Sequence, residues 1–334
     1  MSSFLRAALV ASPLVLAGCA IHPLPEDFSG VPTHTIVRQI RCETRQAVID
    51  LALGWLTSDD NLANRRVDPR SREIGLEFRS GKRLITEFEP KLFGGRVRPL
   101  VQLFYDTGVA YNFNLQMTEV NNVNTDINLL KPFTASSFTL GIKGNADRQR
   151  KNERIFTLTD TFSSLLRLPP DYCDGRFVGA SYNYVVGPNH AYPITGEIGA
   201  KRLIMDFIEL TLFDNLGGTK DKPAGPPTLV DGLSFQTAIG GSLAPKIAFS
   251  PVGTGWSVTN AALNGSVSRT DLHQVTMGLA IRETGVKVLG GVRSELFTPL
   301  VSARSVTGTE AAAVEAVNQA LTLKLFRPTF VLSQ

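Results

Sequence analysis

The side chains best suited to chemistry in this 334-residue chain are three cysteines and four histidines, and their spacing argues against the common catalytic devices. His22, His34, His190 and His273 are scattered, so a metal would have to be held by distant pieces such as His190, Asp271 and His273. Surface or hydrogen-bonded histidines are the plainer expectation. The nearest run to a Gly-x-Ser-x-Gly elbow, GASYN at 179–183, lacks the last glycine. The sequence has no His-Glu-x-x-His, no phosphate-binding Gly-Lys-Ser/Thr loop and no Cys-x-x-Cys. Paired acids such as Asp59-Asp60 read as turn chemistry. No catalytic residue, metal or cofactor is expected.

Cys19 stands in a different context, the stretch LVLAGCAIHPLPED at 14–27. Arg6 precedes an apolar run, Ala7 to Leu16, interrupted only by Ser12 and Pro13. That run is too short to span a bilayer and suits the apolar centre of a signal peptide. Leu16-Ala17-Gly18-Cys19 resembles the lipobox of bacterial lipoproteins. The resemblance implies that residues 1–18 are removed, that the Cys19 thiol carries diacylglycerol and that its new amine is acylated. Several acyl chains, at about 0.8 kcal/mol per buried CH₂, would hold the mature chain on a membrane essentially permanently. Residues 19–34, rich in Pro and polar residues, read as an extended tether. Ala20 stands where an inner-membrane retention signal would place aspartate, so the resemblance implies a lipid-anchored protein of the outer membrane, facing the periplasm or the cell surface. That compartment is oxidising, and with Cys19 lipidated, Cys42 and Cys173 are the remaining thiols. A disulfide between them is the natural pairing, with two separate buried thiols as the alternative.

Composition sets the frame for these residues. Hydrophobic residues make up 43% and charged residues 19%, which describes a folded globular chain. Without Arg6 the mature chain has 33 basic and 30 acidic residues, too small an excess to argue for nucleic acid. No second apolar stretch reaches the roughly 18 residues of a membrane-crossing helix.

The elements follow from periodicity. Ile36, Val37, Ile40, Ala47, Val48, Leu51 and Trp55 recur at helical spacing, so a helix is expected over about 35–56 with Thr35 as its N-cap. EIGLEFRS and RLITEFEP, separated by Gly81-Lys82, read as a hairpin. VAYNFNLQM, SFTLGIKG and RIFTLTD alternate with period two, and NADRQRKNER reads as a charged hairpin tip between the last two. A second helix is expected over about 196–215, a linker over 217–232, then four strand-like runs and a final helix over about 309–325. SFTLGIKGNADR (137–148) aligns with SVTNAALNGSVSR (257–269), and ITGEIGAKRLIMDFIELTLF (194–213) with VTGTEAAAVEAVNQALTLKLF (306–326). These matches suggest two related α+β units, 35–216 and 233–334, each an antiparallel β-meander packed against an amphipathic helix.

Three function classes stay open. The foremost is a lipid-anchored binding or scaffolding protein with an envelope protein as partner. The alternatives are a hydrolase acting on envelope polymers and a component of an outer-membrane channel. A closed barrel needs at least eight long strands with outward apolar bands, and the runs above read as shorter and interrupted.

Overall fold

A computed structural model describes Leu24, residues 32–173, 194, 196–214, 216, 226–248, 256–281, 313 and 315–319. Its fold is α+β, as the alternation and the helical spacing predict. The chain divides into two compact units, each discontinuous in sequence: Leu115–Arg154 with Gln236–Leu272, and Val31–Asn114 with Ile155–Phe235 and His273–Gln334.

The second of these holds the helices. Helix α1 (Thr33–Thr57) follows the expected span, but it begins after Pro32 without a side-chain cap, so Thr35 is not its N-cap. Thr35 lies inside the first turn and is buried. Helices α2 (Asp59–Ala63) and α3 (Pro69–Arg79) follow. Helix α3 replaces the first strand of the expected hairpin. Asp68 accepts from the Ser71 backbone N–H at 2.9 Å, Pro69 opens the helix, and Ser71, Ile74, Gly75 and Phe78 face inward. A proline at the first helical position behind an Asp cap starts a helix, and three- and four-residue spacing outweighs the period-two alternation of the same run. Gly75 is needed there because a Cβ would come within 3.0 Å of the Leu56 Cβ. The second expected strand forms only a single 3₁₀ turn, Ile85–Glu87, after which Phe88 packs between Phe78 and Phe93 at ring distances of 5.3 and 5.2 Å.

Helix α4 (Val97–Tyr105) leads into two 25-residue strands, β1 (Gly108–Pro132) and β2 (Ser137–Thr161). The charged run at 145–154 is therefore no hairpin tip. It lies inside β2, and the turn is at 133–136, closed by a 2.7 Å bond from the Phe133 N–H to the Ser136 carbonyl. Contacts between the strands hold one register throughout. Asn112 meets Thr157, Phe113 stacks on Phe156, Gln116 meets Glu153, Glu119 meets Arg150, Thr125 meets Gly144 and Asp126 meets Lys143. Each pair lies symmetrically about the Thr134–Ala135 peptide, so the hairpin is antiparallel and free of slips along its length.

Helices α5 (Phe162–Leu166), α6 (Pro170–Cys173) and α7 (Ala200–Phe213) follow β2. Strand β3 (Thr228–Leu243) begins inside the stretch expected as linker, and β4 (Lys246–Ala248) and β5 (Ser257–Ala280) complete the sheet in the order β2-β1-β5-β3, with β4 on β5. β3 and β4 share one antiparallel register along β5: the Pro227 carbonyl accepts from Ile281 at 3.1 Å, Gly240 lies against Ser268, the Pro245 carbonyl accepts from Leu263 at 3.1 Å, and Lys246 opposes Ala262. The two runs read as separate, GWSVTNAALNGSVSR and HQVTMGLAI, are one strand.

Residues 313 and 315–319 are helical; the rest of the expected final helix lies outside the described residues. Ala313 and Val317 pack on Ala110 and Ala280, whereas α7 packs along α1. The expected duplication finds no support in this difference.

Candidate functional site

Cys42 on α1 and Cys173 at the end of α6 form the expected disulfide, with Cα atoms 5.6 Å apart across 131 residues of sequence. Beside it, Arg41 grips Asp160 at the end of β2 through two 2.7 Å hydrogen bonds and donates to the Tyr172 hydroxyl at 2.9 Å. The Asp160 hydrogen bond raises the Arg41 pKa above its already high ordinary value, so the guanidinium stays charged. Burial raises the phenol of Tyr111, which stays neutral. Gln39 and Glu43, one turn apart on α1, place polar groups where α7 begins, and the Gln39 side chain donates to the Gly196 carbonyl at 2.7 Å. Glu43 accepts from the backbone N–H groups of Ile198, Gly199 and Ala200 at 2.8, 2.7 and 2.8 Å. Burial raises the Glu43 pKa, and these three bonds oppose it without cancelling it. Arg41, Gln39 and Glu43 are each committed to a structural partner.

The histidines assemble no metal centre among the described residues. His34 is exposed at the start of α1, Asp271 is engaged by Arg269 at 2.9 and 3.1 Å, and His273 is buried on β5. His22, His190 and the lipidation candidate Cys19 lie outside the described residues.

The unusual surface is the sheet over Leu115–Arg154 and Gln236–Leu272. Side chains alternate along a strand, and residues opposite each other share a side. In the β1–β2 register, Val123, Ile127 and Leu129 share one side with Phe138, Leu140, Ile142 and Ala146. The other side carries Asn122, Asn124, Asp126, Asn128, Lys143, Asn145 and Asp147. In the β3–β5 register, Ile239, Leu243, Ile247, Leu263 and Val267 share a side, opposite Ser242, Lys246, Asn264, Ser266 and Ser268. Arg269 reaches Glu119 at 3.5 Å, and Glu119 also takes Arg150 at 2.9 Å. Glu119 belongs to the apolar side of β1 and Arg269 to the apolar side of β5, so both apolar sets lie on one side of the sheet.

That side faces water in the isolated chain. Leu243 is 78% exposed, Val267 60% and Ile142 49%. Contiguous apolar surface of this extent marks a contact with something else. Its boundaries are chemical. At one end stands the ionic row of Glu119, Arg150, Arg269 and Asp271. At the other, Trp256 meets Phe138 edge-on at 5.8 Å, and the Lys131 ammonium lies 5.4 Å from the Phe133 ring and 5.8 Å from the Trp256 ring. Between those ends this side carries one ionisable residue, Arg148, next to the ionic row on β2; past it the side is free of charge over about nine positions per strand, the length a tilted strand needs to cross a bilayer core. Leu24, in the tether, accepts from Arg269 through its carbonyl at 2.7 Å. Leu24 follows Cys19 by five positions in sequence.

The residues matched at 22–287 are those of a family described as "Uncharacterised protein y4kA". The chain belongs to the y4kA family. A relative of the same description from Sinorhizobium fredii (strain NBRC 101917 / NGR234) is 29% identical over 276 residues, covering 83% of this chain and 82% of that one. Two solved structures overlap in part. One is a Klebsiella pneumoniae type II secretion system outer membrane complex (9% identity, 70% of this chain and 51% of that chain, TM-score 0.18). The other is the InvG secretin domain β-barrel from the Salmonella SPI-1 injectisome (9% identity, 67% and 72%, TM-score 0.12). At such TM-scores neither likeness carries an argument here.

The paired cysteines were legible in the sequence. The alternation of Phe138, Leu140 and Ile142 was legible as well; the exposure of that apolar side and the length of the strands were missed, although Asn122, Asn124, Asp126 and Asn128 recur at every second position.

Proposed function

We propose that this y4kA-family member is a lipid-anchored protein of the outer membrane that lays the apolar side of its sheet in the bilayer, as a component of a membrane channel. The observation that carries the reading is the apolar side of β1, β2, β3 and β5, free of charge over about nine positions per strand and bordered by an ionic row, with Arg148 beside it, and by an aromatic end. Bilayer-spanning strands have this layout: an outward apolar band about 25 Å tall, aromatic residues at the headgroup level and a polar opposite side. Glu119 and Lys131 are about 40 Å apart along β1, and tilting the strand by about 40° brings this to roughly 30 Å across the membrane. The tether supports the same reading, because Leu24 on Arg269 leads Cys19 and its acyl chains to the ionic end of the band. No described helix is long and apolar enough to cross a membrane.

The test is depth labelling in proteoliposomes. Ile142→Cys and Leu263→Cys, on the apolar side, and Asn124→Cys and Ser266→Cys, on the polar side, each take an environment-sensitive fluorophore. Nitroxide-bearing lipids should quench the first pair and aqueous iodide the second. Equal quenching of all four by iodide would return the protein to the scaffolding class.

A further inference from the structure

We infer that β2 of one copy pairs with β3 of a second copy, so that several four-strand sheets close into one barrel whose polar side lines a water-filled lumen. The inference rests on the membrane reading above and adds the partner. β2 and β3 end the strand order, so among the described residues each has one row of backbone N–H and C=O groups with no strand beside it. In water such a row is tolerated. In hydrocarbon no water satisfies an unpaired group, which is why spanning sheets are closed.

This chain cannot close on itself with the strands described. Four strands at about 4.8 Å spacing make a ribbon under about 20 Å wide, and the smallest membrane barrels use eight. What fits each edge must bring a strand with an apolar band of the same height and the same boundary rows. The chain itself supplies it: Phe138 to Ala146 on β2, and Ile239 to Ile247 along β3 and its continuation β4, both span about nine positions and run in opposite directions. A β2-to-β3 contact is head-to-tail, and a head-to-tail contact that closes makes a ring. The polar side then faces inward. It carries Asp126, Lys143 and Lys246 within the band and Asp147 just past its edge, and Lys143 is already paired with Asp126 at 3.5 Å. Balanced charges among Asn, Ser and Gly describe a lumen open to ions of either sign.

Two variants of the full lipidated protein provide the test, one with Asn145→Cys on β2 and one with Ser242→Cys on β3; both positions lie on the polar side. Gly240→Cys and Ala244→Cys extend the β3 scan by one step each way. Co-expressed and oxidised, a β2 variant and a β3 variant should give a crosslinked pair that neither gives alone. The wild-type protein should run in mild detergent as a species of several copies and open conductance steps in a planar bilayer, with cation and anion permeabilities within about threefold. A monomer whose Ile142→Cys label is still quenched by lipid would overturn the ring while leaving membrane insertion standing. Crosslinking of the Asn145→Cys variant with itself would overturn the β2-to-β3 contact. Loss of lipid quenching would remove the membrane reading and the ring together.

Discussion

Replacing Glu43 should uncouple α7 from α1. Its carboxylate is 7% exposed and closes the start of α7 by accepting from Ile198, Gly199 and Ala200, with Gly199 in the left-handed region at φ 85°. The first backbone N–H groups of a helix have no partner inside it, so Glu43→Ala leaves three donors in a mostly dry site. Each unsatisfied buried donor costs about 1–3 kcal/mol. Removing the carboxylate also returns its desolvation cost, and a net loss of about 3 kcal/mol is expected. Glu43→Gln separates the contributions. Its oxygen can still serve Gly199 and Ala200, while its amide meets the Ile198 N–H donor to donor, for a loss of about 1–2 kcal/mol. The pH dependence has a definite sign. Burial raises the Glu43 pKa above the ordinary glutamate value, so the folded state holds this proton more tightly than the unfolded one. Stability from this group is full below the unfolded pKa and declines as pH rises through the folded one. The Gln variant should flatten that decline. The assay is urea unfolding of the detergent-solubilised mature protein, followed by helical circular dichroism between pH 4 and 8. A Glu43→Ala variant within about 0.5 kcal/mol of wild type, or a wild-type stability that climbs across that range while Gln at 43 leaves the slope unchanged, would refute the assignment.

Other perturbations test other joints. Cys42→Ser with Cys173→Ser opens a loop of 131 residues and should cost up to about 5 kcal/mol, read as a lowered urea midpoint matched by the reduced wild type. Gly278→Val drives a side chain into Val317, since a Cβ there would stand 2.7 Å from its Cγ2 and 2.9 Å from the Ala313 carbonyl; a loss of about 1–3 kcal/mol in thermal unfolding is expected. Asp160→Ala strands Arg41, leaving its side chain, 24% exposed, without a carboxylate, and should cost about 2–4 kcal/mol, less than for a fully buried pair because water reaches the guanidinium. Leu140→Arg places a charge midway along the apolar side and should lower membrane-inserted stability by about 2–4 kcal/mol, whereas Asn128→Arg on the other side should be tolerated.

Helix α1 and the first half of β1 were legible from their periodicity, although burial extends to both sides: Val109, Tyr111, Phe113 and Leu115 are buried, and so are Ala110 and Asn112 between them. The disulfide was legible from compartment chemistry, once Cys19 had been set aside. Strand length was not legible, and the reason is physical. Asp147, Arg148, Arg150, Lys151, Glu153 and Arg154 look like a solvated loop until Glu119 and Gln116 are known to stand across from them, since a charged strand is stabilised by neighbours on another strand and no local pattern encodes those. The hairpin misread at α3 has the opposite cause. Glu73 to Phe78 alternates by accident, and the decisive signal, Asp68-Pro69, sits outside the alternating run.

The uninterrupted register of the β1–β2 hairpin has an evolutionary consequence. Inserting one residue into either strand would turn every side chain beyond it to the opposite side, exchanging Leu140 and Ile142 for Thr139 and Lys143 across the sheet. Adding two residues to each strand preserves both sides and lengthens the arm by about 7 Å. Relatives should therefore differ in this hairpin by even-numbered, matched insertions and deletions placed evenly about the Thr134–Ala135 turn. Single-residue gaps should fall only in that turn or in the helical connections.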